Sequence, residues 1–590
     1  MSSTDTAAAA ASSANASFTD ADEARISASR DGPVTGTADS SSSLHAAADP
    51  FSDLAAVSRQ PSTQATPERT SKRQSHVVSF DKTLENMIKL GMHDLDIQED
   101  ELVVVDKEKR KKNRHTCIGS TSAAAYRFSI PLYNVLWAST SDDDRQLSIE
   151  YAEATSKTRL RHATYTIPLE LSGPDRPTLA DVAAWAELLR KRAYGNVPQR
   201  RRAYVLVNPH AGTGSAMKKW EEEARPLMDA ARMSLAVVTT TYGGQAVELC
   251  AALDIDAYDM VIACSGDGLP HECFNGLGKR PDARRALEKI AVAHVPCGSG
   301  NAMACNLYGS HHASVAALAI VKGVAAPLDL ASITYGETRL LSFLSQAVGV
   351  VAEVDLATEG LRWMGSARFT WGFIERLLAR KVYPCDLSVR VEIAQKEDVK
   401  AHYLLHQAGS QALTSTDDTH STVDEASSSV NDVGLPPLRY GTVNDPIPGD
   451  WETIPAEKMG NFYCGNMPLM AADAAFFAAA LMTDGLMDLI TIDGDISPTK
   501  SLGMLMRVED NRLFDHPLVR YRKISGFRLT PKNQKDGYIS IDGERIPFAP
   551  FQSEVHKGLG RVIAKRAVAG YETPGPYDWD KVSPRERIMA

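Results

Sequence analysis

The hydrophobic pattern divides the chain into blocks of different period. Residues 1–75 carry no apolar periodicity and are rich in Ser, Ala, Thr and Asp. Such a segment cannot bury enough apolar surface to offset its ordering entropy, so it is expected to be a disordered tail. Between 96 and 195 short β-like runs appear at Glu101–Asp106, Tyr126–Ala138, Gln146–Tyr151 and Arg161–Pro168, separated by turn-rich or charged pieces. They are followed by Leu179, Val182, Trp185 and Leu189 at helical spacing, with Thr178 as N-cap and Asp181 three residues on. Several strands closed by one amphipathic helix predict a small β domain of the pleckstrin-homology kind.

From 203 the pattern alternates between apolar strand and amphipathic helix. Strands are predicted at Ala203–Asn208, Leu235–Thr240, Tyr258–Cys264 and Ile290–Val295. Helices are predicted over 215–231 and 245–253, near 271–277, and from Ala302. Alternation of this kind predicts a parallel α/β sheet over 200–327. Beyond Pro327 the helices drop out. A long β-leaning run at Leu340–Glu353 is followed by Leu387–Ile393, Gly460–Tyr463, Leu486–Asp493, Phe527–Pro531 and Gly537–Asp542. This reads as a mostly β, sandwich-like second domain over 328–395 and 451–570. The low-complexity stretch within 396–450 predicts a disordered insertion.

Composition refines the picture. The 590 residues, 43% of them apolar and 23% charged, are those of an ordinary globular chain of several domains. No run approaches the ~18 apolar residues of a membrane span, and the N-terminus lacks the pattern of a secretory signal. The eight cysteines form no CxxC pair, so reduced thiols are expected, with no zinc site. The net charge of −10 argues against a nucleic-acid binder. It is unevenly spread: residues 1–75 hold nine acids against six bases, and 396–450 nine against three. The remaining body is nearly neutral and is compatible with visits to an anionic membrane. The basic run Lys107–Arg114 has two readings, a lipid contact and a solvated hairpin turn, of which the second is favoured. Cys117 nearby is a palmitoylation candidate.

Three glycine-rich turns each follow a predicted strand and precede a predicted helix. They are Asn208-Pro209-His210-Ala211-Gly212-Thr213-Gly214-Ser215, Ser265-Gly266-Asp267-Gly268 and Gly298-Ser299-Gly300-Asn301. Glycine lets backbone N–H groups approach a phosphate, and the following helix N-terminus favours the anion. Three such turns at successive strand ends of one sheet point to a phosphate ligand. There is no GxxxxGK[ST], and the second strand ends in Thr239-Thr240-Thr241 without the acidic residue of a dinucleotide site. Asp267 between two glycines reads either as a turn cap or as a group that binds Mg²⁺ or accepts a proton.

In order and spacing, NPxxGxG, SGDGLxHExxNGL and PCGSGNAMA resemble the diacylglycerol-kinase catalytic superfamily, and within it the sphingosine (long-chain-base) kinases. Ala352–Leu356, Arg362, Gly365–Thr370, Asn466–Pro468, Asp484–Leu489 and Asp542–Glu544 extend the resemblance over roughly 200–395 and 455–565. It implies ATP-dependent phosphorylation of the primary hydroxyl of a sphingoid base (sphingosine, sphinganine or phytosphingosine), with Mg²⁺ possible near Asp267. Asp267 matches the general base. Asn208, Pro209, His210, Gly212, Gly214, Thr240, Ser265, Gly266, Gly268, Glu272, Gly298, Ser299, Gly300, Arg362, Arg368, Asp542, Gly543 and Glu544 match the nucleotide site. Asp355 matches the anchor for the substrate ammonium, with Ser345 beside it. Phe343, Leu344, Val348, Phe369, Trp371, Phe373, Phe476 and Phe477 are candidates to line the lipid chain's cleft. His210-Ala211 replaces a more usual Arg-Gly pair, which weakens the cationic contact expected of the first loop; Gln245 stands where His is common, and Gln346–Val348 lacks the Trp often found there. The implied location is cytoplasmic, peripherally associated with intracellular or plasma membranes. The competing readings are a ceramide or diacylglycerol kinase, whose substrate has no free amine for Asp355, and an inactive lipid-binding scaffold.

Overall fold

A computed structural model describes residues 86–110, 125–141, 143, 145–171, 176–357, 380–413, 434–509 and 511–565. The predicted tail, Cys117, the second half of the basic run, Arg362 and Arg368 lie outside these residues.

The N-terminal strands begin earlier than expected. Met87–Leu90, His93–Ile97, Glu101–Arg110 and Ala125–Pro131 form an antiparallel sheet, and Val135–Thr140, Gln146–Ser156 and Arg159–Pro168 form a second. The single run expected at Tyr126–Ala138 is broken by a 3₁₀ turn at Leu132–Asn134, which lets the chain pass from one sheet to the other. The helix Leu179–Tyr194 starts at the expected cap. The Thr178 hydroxyl accepts from the Asp181 N–H while the Asp181 carboxylate accepts from the Thr178 N–H.

The parallel strands run in the order Ala291–Pro296, Met260–Ser265, Arg202–Val207 and Ser234–Thr239. The helix after the first of these in sequence has a π segment, Trp220–Ala224, between Ala216–Lys219 and Arg225–Ala230. Two further helices, Ala283–Lys289 and Ala313–Lys322, lie in stretches with no predicted element.

Two expectations are corrected. A domain boundary at 327/328 falls inside the strand Val324–Tyr335. That strand pairs antiparallel with Phe551–Ala564, which also meets the parallel sheet through Val562 beside Val292. The α/β and β-rich regions therefore share one continuous 15-stranded sheet. The 396–450 segment is not an uninterrupted insertion, because Lys396–Leu413 is a helix. Val399 and Tyr403 on that helix are fully buried, and Tyr440 packs edge-on against Trp451. These apolar contacts lie among polar neighbours, which is why composition alone hid them.

Candidate active site

The three glycine loops meet at the carboxyl ends of the parallel strands, and they interlock. A Cβ on Gly298 would stand 2.3 Å from the Gly266 Cα, and one on Gly266 would stand 2.8 Å from the Gly300 oxygen. A Cβ on Gly212 would lie 2.6 Å from the Cys297 oxygen, and Gly212 also has φ +61°. Glycine here serves contact between backbones as much as loop flexibility. The Ser265 carbonyl accepts from the Cys297 and Gly298 N–H groups at 2.8 and 3.0 Å, tying the second loop to the third. In the first loop the Asn208 side chain accepts from the His210 N–H at 3.0 Å, fixing the turn after Pro209. Gly214 has φ +78° and faces open space, and Ser299 is half-buried.

Asp267 begins the helix Gly268–Gly278. Its carboxylate accepts from the Ala302 and Met303 N–H groups at 2.8 and 2.9 Å, at the start of the helix Ala302–Tyr308. Burial pushes its pKa up; the facing His294, at 3.9 Å, and the two backbone donors oppose the shift. His294 is itself fully buried, and burial holds its pKa down. Its Nε2 lies 3.0 Å from the Ser265 carbonyl. Each Asp267 oxygen keeps a second lone pair, so the group is fixed in place and still able to accept a proton.

The other expected residues divide into those that face the loops and those engaged inside the protein. Thr240 is buried, and its hydroxyl lies 3.5 Å from the Val207 carbonyl. The Glu272 carboxylate accepts from the Ala246 N–H at 3.1 Å and so caps the helix Gln245–Ala251. Glu544 reaches the loops: its Oε1 lies 2.7 Å from where a Gly268 Cβ would be. Asp542 turns inward, its side chain fully shielded from solvent and bonded to five donors.

Asp355 sits on a helix, Val350–Ala357, whose first four residues were expected to end the β run Leu340–Glu353. Gly349, at φ +101°, ends the preceding strand, and the Asn461 side chain accepts from the Val351 N–H at 3.1 Å, capping the helix start. The Asp355 Oδ2 accepts from the Ser540 hydroxyl at 2.9 Å and lies 3.8 Å from a Cβ built on Gly543. Ser345 gives its N–H to Asp542 at 2.9 Å, and its hydroxyl bonds the Tyr463 phenol. The Tyr463 pKa is raised by burial and then by Asp355, Asp267 and Asp542, so the phenol stays neutral. Sequence reasoning missed Tyr463, His294 and Asn461, and no local spacing marks them.

An apolar cleft of about 650 Å³, counted to its mouth, opens beside this helix. Val350, Val351, Phe476, Ile492, Met504 and Leu505 line it. Of the candidate lining residues only Phe476 does so. Phe343, Leu344, Val348 and Phe477 are core, and Phe369, Trp371 and Phe373 lie outside the described residues. Among the described residues no three His, Cys, Asp or Glu side chains converge to hold a metal ion.

The diacylglycerol kinase catalytic domain family matches residues 202–333, and a domain of unknown function, DUF7493, matches 88–195. Sphingoid long chain base kinase 5 of Saccharomyces cerevisiae is 35% identical over 64% of this chain and 61% of its own length. Sphingoid long chain base kinase 4 of Schizosaccharomyces pombe is 29% identical over 77% of this chain and 92% of its own. Sphingosine kinase 1 of Rattus norvegicus is 30% identical over 61% of this chain and 90% of its own. With its three loops and Asp267 in the matched region, the chain belongs to the sphingosine kinases, within the diacylglycerol kinase catalytic superfamily.

Proposed function

We propose that the protein transfers the γ-phosphoryl group of ATP to the primary hydroxyl of a sphingoid base, giving the 1-phosphate and ADP. The observation that carries this reading is the Asp267 carboxylate, held by two backbone N–H groups where three glycine loops interlock. The substrate oxygen attacks the γ-phosphorus, the bond to the β,γ-bridging oxygen breaks, and the hydroxyl proton passes to Asp267. The loop N–H groups hold the phosphates, with Gly543 and Glu544 at the rim. Asp355 takes the ammonium next to the reacting hydroxyl, and the alkyl chain lies in the cleft beyond Val350 and Val351. Asp267 is the carboxylate at the loops that could help hold a Mg²⁺ ion bound with ATP, which would neutralise phosphate charge there.

For residues 87–194 we favour a pleckstrin-homology-like domain. The support is a four-stranded and a three-stranded antiparallel sheet followed by one helix. Peripheral membrane contact follows from the substrate's residence in bilayers; no helix among the described residues is long and apolar enough to cross one.

The test is a panel of sphingosine, sphinganine, phytosphingosine, ceramide and diacylglycerol with radiolabelled ATP. Turnover confined to the amine-bearing bases is expected. Preferential labelling of ceramide or diacylglycerol would instead place the chain with the kinases of neutral lipids. Asp355→Ala is expected to raise KM for sphinganine by about 10-fold or more, and an unchanged KM would remove the ammonium role.

A further inference from the structure

Asp542 lies in the turn that the family resemblance assigns to the nucleotide, but its side chain is committed elsewhere. Oδ1 accepts from the Ser342 hydroxyl at 2.7 Å, the Leu344 N–H at 3.0 Å and the Ser345 N–H at 2.9 Å. Oδ2 accepts from the Phe343 N–H at 3.0 Å and from His271 Nδ1 at 2.8 Å. A carboxylate offers about four lone-pair sites, so five donors saturate it. It has no capacity left for a ribose hydroxyl or a metal ion, and its charge would repel a phosphate.

These donors come from both sides of the site. His271 is one turn beyond Asp267 on the same helix, and its N–H donates to the Asp267 carbonyl at 3.2 Å. Ser342–Ser345 lead into the strand Ser345–Gly349 and so to the helix bearing Asp355. On either side of Asp542 itself, Ser540 donates to Asp355 and Glu544 reaches Gly268. Burial pulls the His271 pKa down, but the hydrogen bond and charge of Asp542, with Glu544 and Glu272, outweigh it and leave it raised. The ring therefore tends to keep its charge against the buried carboxylate. Asn275 extends the connection: its amide donates to the Leu341 carbonyl at 2.9 Å and its oxygen accepts from the Leu341 N–H at 2.8 Å.

We propose that Asp542 is a positioning residue and not a nucleotide ligand: with His271 it fixes the helix bearing Asp267 relative to Ser345, Asp355 and Glu544. The proposal rests on the kinase reading given above.

The experiment compares Asp542→Asn and His271→Gln with the wild type, varying ATP at saturating sphinganine. An Asn amide sets an NH₂ group against N–H donors, so the junction loosens while the shape is kept. Asp542→Asn is expected to lower kcat by about 10–100-fold and to change KM for ATP by less than about 3-fold. The double variant is expected to be no worse than Asp542→Asn alone, because the two residues act as one unit. A rise in KM for ATP of about 10-fold with kcat retained would overturn the proposal. If Asp542→Asn does not fold by circular dichroism, His271→Gln decides. That variant keeps a donor but not the charge, and several-fold loss of kcat at unchanged KM for ATP supports the proposal, whereas wild-type kcat overturns it. A wild type inert toward every base on the panel removes the kinase reading and this proposal together.

Discussion

At the scale of single residues, what matters is which carboxylate remains available. Asp267 is half-buried and Asp542 fully buried, and both are held by backbone N–H groups, yet of the two Asp267 keeps lone pairs to spare. As the base, Asp267 must be ionised. Burial raises its pKa, so activity should fall on acidification before an exposed carboxylate would titrate. The acid limb of the kcat/KM profile is therefore expected to lie higher in pH than for an exposed aspartate. Asp267→Asn is expected to lower kcat by about 10²–10⁴-fold and to abolish that limb, read from initial rates across pH. A variant as active as the parent would remove the assignment. Asp267 was legible in the sequence because strand, glycine turn and helix are adjacent along the chain. The commitment of Asp542 was not, since its partners stand 197 to 271 residues away.

At the scale of elements, the glycine loops and the helix Val350–Ala357 show what local pattern can and cannot convey. The loops were readable as glycine turns between strand and helix, but their contact with one another was not, because glycine's lack of a side chain leaves no trace of what fills the space. Gly298→Ala sets a methyl 2.3 Å from the Gly266 backbone, which neither loop can yield by a rotamer change. We expect a loss of about 1–3 kcal/mol in thermal unfolding and a clear rise in KM for ATP. Gly503→Ala, inside the helix Pro498–Glu509 with nothing within 4 Å, should instead be neutral or stabilise by about 0.5–1 kcal/mol. Val350–Ala357 was misread because Val-Val-Ala-Glu-Val suits a strand, and the deciding interaction is a cap from Asn461, more than 100 residues on. That helix carries Asp355 and, through Val350 and Val351, part of the lining of the cleft that Met504 and Leu505 also line. Met504→Trp should shorten the usable cleft. We expect kcat/KM for an 18-carbon base to drop about 10-fold and that for a much shorter chain to drop less; equal losses would detach the cleft from the alkyl chain.

At the scale of the whole molecule, the boundaries drawn from composition mark changes in pattern more than changes in packing. The strand Phe551–Ala564 returns to the parallel sheet and joins it to the β-rich strands, a pairing across more than 250 residues that no local period announces. The acidic excess also moves: helix 396–413 and residues 434–450 pack with the body, which leaves five acids and no base in 414–433. The N-terminal sheets are similarly joined to the catalytic region. Arg159 pairs with Glu223 at 2.6 Å, Arg232 with Glu150 at 2.7 Å, and the Leu160 N–H donates to the Ser314 hydroxyl at 3.0 Å. The Arg201 guanidinium bonds the Ile320 and Val321 carbonyls at the end of the helix Ala313–Lys322. Lys322, 1% exposed, gives its ammonium to the Val135 and Ala193 carbonyls and sits 3.5 Å from the Tyr194 ring centroid.

A buried lysine donating to carbonyls across this junction makes the two regions interdependent. Lys322→Met keeps most of the stem's volume but removes the charge and its donors. Loss of buried hydrogen bonds of this kind costs about 1–3 kcal/mol. If the regions unfold together, calorimetry of the full chain should show one main transition, lowered in the variant, with kinase activity lost along the same curve. Two separated transitions, with Lys322→Met shifting neither, would show that the N-terminal sheets are an independent attachment.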